Sequence, residues 1–64
     1  MKKPRTRYVN RNGQGQRETV DAFPFDTKED RAEARRCVRE YNLADPTARH
    51  YLSSRACKEW NSLP

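Results

Sequence analysis

The stretch Asp26–Asp45, DTKEDRAEARRCVREYNLAD, carries the clearest structural signal in this 64-residue chain. Asp26 has a side chain that can cap a helix, and Glu29 follows three residues later, a spacing typical of a capping box. Pro46 comes directly after the stretch and disfavours helical geometry in the residue before it. The stretch therefore predicts a helix that begins near Asp26 and ends around residues 42–45.

The predicted helix is amphipathic. At about 100° per residue its apolar side chains fall within one arc of roughly 120°, as expected for a helix packed on a sheet. These residues are Ala34, Cys37, Val38, Tyr41 and Ala44. Four basic residues lie on the flank beside this stripe: Lys28, Arg31, Arg35 and Arg39. We interpret the basic flank as solvated surface, because charged helix faces are ordinary in soluble proteins.

Two β-prone stretches precede the helix, Thr6–Asn10 and Arg17–Phe23. The residues between them, RNGQGQ, contain both glycines of the chain, which predicts a hairpin whose loop is longer than two residues. Pro24 has no amide hydrogen to donate and is expected to end the second strand. The alternative is that residues 1–16 are all disordered and that one strand precedes the helix.

The segment after the helix predicts a further strand. Arg49–Cys57 has no helical stripe, and its alternation leaves the inward face undecided. Two strands, a helix and a third strand predict an α+β, two-layer ββαβ domain over residues 6–64, with one helix packed on a two- or three-stranded sheet. If the second and third strands are neighbours, the helix is their crossover and should be right-handed.

Large apolar residues are scarce, since 33% of the residues are hydrophobic and 36% are charged. The candidates for the core are Tyr8, Val9, Val20, Phe23, Phe25, Val38, Tyr41, Leu43, Tyr51, Leu52 and Trp60. At about 1.5–3 kcal/mol for each fully buried large side chain, this set offsets the ordering entropy of the chain narrowly. We therefore expect marginal stability, or stabilisation by a weak homodimer.

The positive charge is concentrated at the N-terminus. Residues 1–17 contain six basic and no acidic side chains, whereas residues 18–64 contain eight basic and nine acidic ones. A basic segment attached to a near-neutral body is typical of an arm that contacts phosphates or an acidic partner. A solubilising tail is the alternative. Residues 1–5 have no apolar anchor and are predicted to form a disordered basic arm.

The candidate nucleic-acid-binding residues are the cations of this segment and the aromatic residue among them. They are Lys2, Lys3, Arg5, Arg7, Tyr8, Arg11 and Arg17. The cations can neutralise phosphates and the tyrosine ring can stack on a base, although Tyr8 also suits an ordinary strand. Base recognition would come from a few residues of the body, such as Tyr51, Arg55 or the arginines of the helix. The predicted partner is DNA or RNA, and the alternative is a protein that pairs with an exposed sheet edge.

The residues that carry chemistry do not form a recognisable catalytic or metal-binding motif. Small-molecule pockets are typically several hundred cubic ångströms, which a chain of this size cannot easily enclose. Cys37, His50 and Cys57 offer three of the four ligands that tetrahedral zinc needs, at spacings unlike a zinc motif. We therefore predict a protein that is not an enzyme and uses no cofactor or metal. The two cysteines are expected to be small core residues that lie near each other.

The setting is predicted to be the cytoplasm, because no apolar run is long enough for a signal peptide or a membrane span.

A dispersed pattern over about residues 18–61 carries a resemblance to known proteins. It consists of Val20–Phe23, Thr27–Glu29, Ala32, Ala34, Glu40–Tyr41, Tyr51–Lys58 and Trp60. In this pattern the chain is similar to short bacteriophage and prophage proteins of unknown function. The resemblance implies a bacterial or viral cytoplasmic setting and a compact fold, and it assigns no activity.

Overall fold

A computed structural model of the chain describes residues 5–61. Its elements in chain order are β1 (Thr6–Gly13), β2 (Gln16–Pro24), α1 (Lys28–Ala44), β3 (Arg49–Ser53) and α2 (Lys58–Asn61). The strands form one antiparallel sheet in the order β2-β1-β3, and α1 packs on one face of it. The predicted α+β fold is confirmed, and the sheet has three strands.

The hairpin between β1 and β2 closes more tightly than predicted. The prediction of a long loop at residues 11–16 is wrong, because β1 and β2 stay paired as far as Gly13 and Gln16. The turn is Gln14–Gly15, with positive φ angles of 54° and 74°, as in a type I′ turn that follows the twist of the strands. Gly13 has a different role: a Cβ there would lie 2.9 Å from the Cβ of Ala48. The glycine therefore allows the loop before β3 to approach β1.

β1 is the central strand, so β2 and β3 are not neighbours. The middle of β1 is buried on both sides of the sheet, because Val9 is 0% exposed and the adjacent Asn10 is 4% exposed. The pairing register with β2 shifts between these two residues and leaves Val20 unpaired, which is a β-bulge.

The helix α1 begins later than predicted. Its N-cap is Thr27, whose hydroxyl accepts a hydrogen bond from the amide of Asp30 at 3.0 Å. The carboxylate of Asp30 accepts one from the amide of Thr27, also at 3.0 Å. The capping box therefore uses these two residues instead of Asp26 and Glu29. Asp26 accepts a hydrogen bond from the amide of Arg5 at 2.9 Å, which ties the start of β1 to the start of α1.

The apolar stripe of α1 lies on the sheet over most of its length. Ala34 is fully buried, and Cys37, Val38 and Tyr41 are half-buried, while Ala44 in the last turn is exposed. The expectation that Leu43 belongs to the core is wrong, because its side chain is 76% exposed. At 100° per residue, Leu43 falls on the side of the helix opposite the stripe.

The segment after β3 folds differently from the prediction. The strand ends at Ser53, not Cys57, and the short helix α2 follows. The amide of Cys57 donates to the hydroxyl of Thr19 at 2.7 Å, on the sheet face that α1 does not cover. Because Cys37 belongs to α1, the two free cysteines lie on opposite sides of the sheet, and their expected proximity is wrong.

The inward face of β3, which the residue pattern left undecided, carries His50. Its ring is stacked on that of Tyr41 with a centroid distance of 5.2 Å. The side chain of Asn42 accepts from the amide of His50 at 2.8 Å and donates to its carbonyl at 3.2 Å. His50 is 4% exposed and is therefore a core residue that joins β3 to α1.

Candidate nucleic-acid interface

A row of three exposed polar side chains crosses the sheet near the hairpin. Asn12 of β1 pairs with Arg17 of β2 on one side and with Arg49 of β3 on the other. Directly paired residues of antiparallel strands project on the same face of a sheet. The two guanidinium groups therefore flank the amide of Asn12. The backbones of Arg17 and Arg49 are two strand spacings apart, which is about 10 Å.

The face that carries this row is the one opposite α1. The preceding residue, Arg11, bonds to Asp45 at the end of α1 and pairs in register with His50, which packs on α1. Side chains alternate along a strand, so Asn12 must project to the other side. The parity of β1 thus places the arginine–asparagine–arginine row on the uncovered face.

Tyr51 lies beside this row. It pairs with Asn10, two residues before Asn12 on the same face. Together Asn12, Arg17, Arg49 and Tyr51 line a shallow groove of about 340 Å³. We call these four residues the open cluster. It combines two cations, an amide and a half-buried aromatic ring on one open surface.

The other part of this face is closed by the chain after β3. The amide of Asn10 donates to the carbonyl of Arg55 at 3.2 Å, and the hydroxyl of Thr19 donates to the amide oxygen of Asn10 at 2.6 Å. Cys57 completes the network through its bond to Thr19. The segment at residues 55–57 therefore limits the open cluster to the hairpin end of the sheet.

The cations of the open cluster differ electrostatically from their neighbour Arg11. Arg11 bonds to Asp45 at 3.0 Å and to Glu18 at 3.5 Å, so its charge is compensated. Hydrogen bonds from Thr47 and then from Arg11 hold the pKa of Asp45 below its usual value. Within residues 5–61, by contrast, no carboxylate forms an ion pair with Arg17 or Arg49. Their charge is available to an external anion.

The predicted binding residues are distributed over several places. Lys2 and Lys3 lie outside the described residues. Arg5 is exposed, and its carbonyl accepts the amide of Phe25 at 2.9 Å, so it continues the hairpin ladder. Arg7 places its guanidinium 4.9 Å from the centre of the Phe25 ring. These contacts hold both arginines at the end of β1 far from the turn.

The remaining predicted residues lie at different places in the sheet. Tyr8 is half-buried and pairs with Ala22 and Ser53, at the end of the sheet away from the open cluster. Arg11 lies on the α1 face, and among these predicted residues Arg17 alone belongs to the open cluster. Tyr51 was expected to contribute to base recognition, and the structure places its ring beside Arg17 in the groove.

Two members of the open cluster, Asn12 and Arg49, were missed from the sequence. The sequence predicts Asn12 in the hairpin loop, whereas the two-residue turn extends β1 to Gly13 and pairs Asn12 with Arg17. Arg49 joins the row through the pairing of β3 with β1 across 37 residues of chain. No local signal in the sequence predicts that pairing.

A second shallow groove, also about 340 Å³, lies between α1 and β2 and is lined by Asp21, Cys37, Glu40, Tyr41 and Ala44. Burial is the main cause of the raised pKa of the Cys37 thiol, which keeps it protonated and weakly nucleophilic. Burial also raises the pKa of Tyr41, whose hydroxyl donates to Asp21 at 3.0 Å. These groups therefore hold α1 on β2 and are poorly suited to nucleophilic chemistry.

The part of the chain that the structure describes has no group of three or more His, Cys, Asp or Glu arranged to hold a metal ion. None of the helices within residues 5–61 has the length and apolar character to cross a membrane. The fold and the site thus define a small α+β domain with a cationic sheet face. No protein-family model, curated protein or solved structure matches this chain.

Proposed function

We propose that this chain is a small non-enzymatic protein that binds nucleic acid through the open cluster, together with its basic N-terminal segment. The observation that carries the proposal is the pair of uncompensated arginines, Arg17 and Arg49, on one exposed sheet face. Cations that replace the counterions of phosphates supply most of the affinity of non-specific nucleic-acid binding.

The basic N-terminal segment adds positive charge at the end of β1 away from the turn. Arg5 and Arg7 share the strand parity of Arg11, so their side chains belong to the α1 side of the sheet, whereas the open cluster lies on the other face. We therefore expect this segment to attract phosphates at long range and not to continue the open cluster.

Salt-dependent binding tests the proposal. In fluorescence-anisotropy titrations with a labelled 15-nucleotide oligonucleotide, affinity should fall steeply between about 50 and 200 mM salt. The double variant Arg17→Ala/Arg49→Ala should bind more weakly and lower the slope of log K against log salt by about one for each arginine. Lys2→Ala/Lys3→Ala should lower it in the same way.

The matched control is Arg35→Ala/Arg39→Ala, which removes the same charge from two exposed residues of α1 on the other side of the sheet, neither of which forms an ion pair within residues 5–61. This variant should leave the salt slope close to that of the unmodified protein. Binding that is absent, insensitive to salt, or reduced equally by both double variants would reject the open cluster as the nucleic-acid surface.

The alternative function is a protein-interaction module that modulates a host or phage enzyme. Leu43 is 76% exposed, and in the described sheet β2 and β3 each have one unpaired edge to which a partner strand can add. Capture of a stoichiometric protein after nuclease treatment, abolished by Leu43→Ser, would favour this function. Sedimentation velocity would detect the weak homodimer that the same edges permit.

The cellular setting belongs to the proposal as well. The resemblance to bacteriophage and prophage proteins supports a bacterial cytoplasm, where DNA and RNA are both accessible. The net charge of +5 also favours association with polyanions at low ionic strength.

A further inference from the structure

Tyr51 gives the open cluster a feature that phosphate binding does not require. Its ring lies next to the arginine–asparagine–arginine row and lines the same groove. Its phenol oxygen has no hydrogen-bond partner within residues 5–61, although its neighbours on this face, Asn10 and Thr19, are both bonded. A partly exposed ring beside cations is an arrangement on which an unpaired base can stack.

We infer that the open cluster recognises single-stranded nucleic acid, with one base stacked on Tyr51 and neighbouring phosphates bound by Arg49, two residues away on β3, and by Arg17, across β1. This inference rests on the proposed function and narrows it to a class of ligand. The two arginines are on the outer strands, about 10 Å apart at their backbones, so a single strand that crosses the sheet along their row can contact both.

The shape of the groove favours a single strand over a duplex. The open cluster is a shallow depression across three strands, and its members do not project as a helix or a ribbon that could enter a major groove. In a duplex the bases are stacked inside, beyond the reach of a ring that lies on a sheet face. In a single strand they can be splayed out onto that ring.

Asn12 adds polar recognition at the centre. Its side chain is exposed between the two arginines and has no hydrogen-bond partner in the described part of the chain. A carboxamide offers donors and an acceptor, so it can bond to the edge of any unpaired base. We therefore expect weak dependence on base sequence.

Strand preference is tested with three labelled 15-nucleotide probes of one sequence: single-stranded DNA, single-stranded RNA and duplex DNA. At equal salt, the single strands should bind at least about tenfold more tightly than the duplex. Tyr51→Leu should weaken binding to the single strands about 5- to 150-fold, the loss expected for one stacked base. Its binding to the duplex should change little.

Tyr51→Phe separates the contribution of the ring from that of the hydroxyl, because it keeps the ring and should retain single-strand affinity within about twofold. If wild-type protein binds duplex and single strands equally, or if Tyr51→Phe loses affinity as Tyr51→Leu does, the stacking inference is overturned while the proposed function stands. If none of the probes binds in a salt-dependent manner, the proposed function fails and this inference fails with it. The DNA and RNA probes identify which single strand is preferred.

Discussion

At the residue scale, Asn10 shows how a polar side chain can stabilise the fold from inside the sheet. Its amide joins three parts of the chain, since it accepts from Thr19 and donates to the carbonyl of Arg55. Asn10 itself is 4% exposed, and its two part-buried hydrogen bonds are lost if the amide is removed. Unsatisfied buried polar groups cost about 1–3 kcal/mol each.

We therefore expect Asn10→Ala to lower the free energy of unfolding by about 1–3 kcal/mol. Asn12→Ala is the matched control, because it removes the same amide from an exposed position two residues along the same strand. The control should change stability by less than about 0.5 kcal/mol. Urea denaturation followed by circular dichroism measures both. Equal losses in the two variants would contradict the bonding network around Asn10.

A comparison of two arginines shows why the charge pattern along the chain predicted the members of the open cluster incompletely. Arg11 and Arg17 both belong to the basic N-terminal segment, yet Arg11 is compensated by Glu18 and Asp45 while Arg17 is not. The difference comes from strand parity and from the partner that each face meets. The distribution of charge along the chain contains no information about strand parity or about the partner on each face.

At the element scale, α1 depends on its N-terminal capping box. Thr27→Ala should lower the free energy of unfolding by about 1 kcal/mol, because the amide of Asp30 loses its partner. Thr27→Ser keeps the hydroxyl and should retain most of the stability. The two thermal denaturation curves distinguish a capping effect from a general effect of substitution. A loss of the same size in Thr27→Ser would argue against the cap.

The elements also differ in how far local sequence determined them. The helix was predicted within two residues at its start, since its stripe and caps are encoded in neighbouring residues. The hairpin loop was predicted too long, because both glycines suit a turn and Gly13 is instead a strand residue that allows the approach of Ala48. The strand β3 was predicted too long, because residues 55–57 bond to the sheet face through Asn10 and Thr19 instead of to a neighbouring strand.

At the scale of the whole molecule, the melting temperature should depend on pH in the acidic range. The pKa of Asp45 is lowered by hydrogen bonds from Thr47 and Arg11, and that of Asp30 is lowered first by the amide of Thr27. A carboxyl whose folded-state pKa is depressed stabilises the fold above its unfolded-state pKa, and this contribution is lost as the pH falls through the folded-state value. The melting temperature should thus be nearly constant from about pH 7 to 5 and fall below about pH 4.

Asp45→Asn tests this assignment. The variant removes the ion pair that connects the end of α1 to β1, so it should melt below the unmodified protein at pH 7. Its melting temperature should fall less on acidification, and the two curves should converge near pH 2. Parallel curves over the whole range would show that Asp45 does not contribute to the acid sensitivity.

The amphipathic helix and the concentration of cations near the N-terminus were determined by the sequence itself, because each depends on residues a few positions apart. The sequence favoured two strands before the helix but left a single strand as the alternative. The assembly of the open cluster was decided by the tertiary structure. Arg17, Asn12 and Arg49 become neighbours through the hairpin register and through the pairing of β3 with β1. Long-range pairing follows from how the whole core packs, and a one-residue change in register would have turned these side chains to the opposite face.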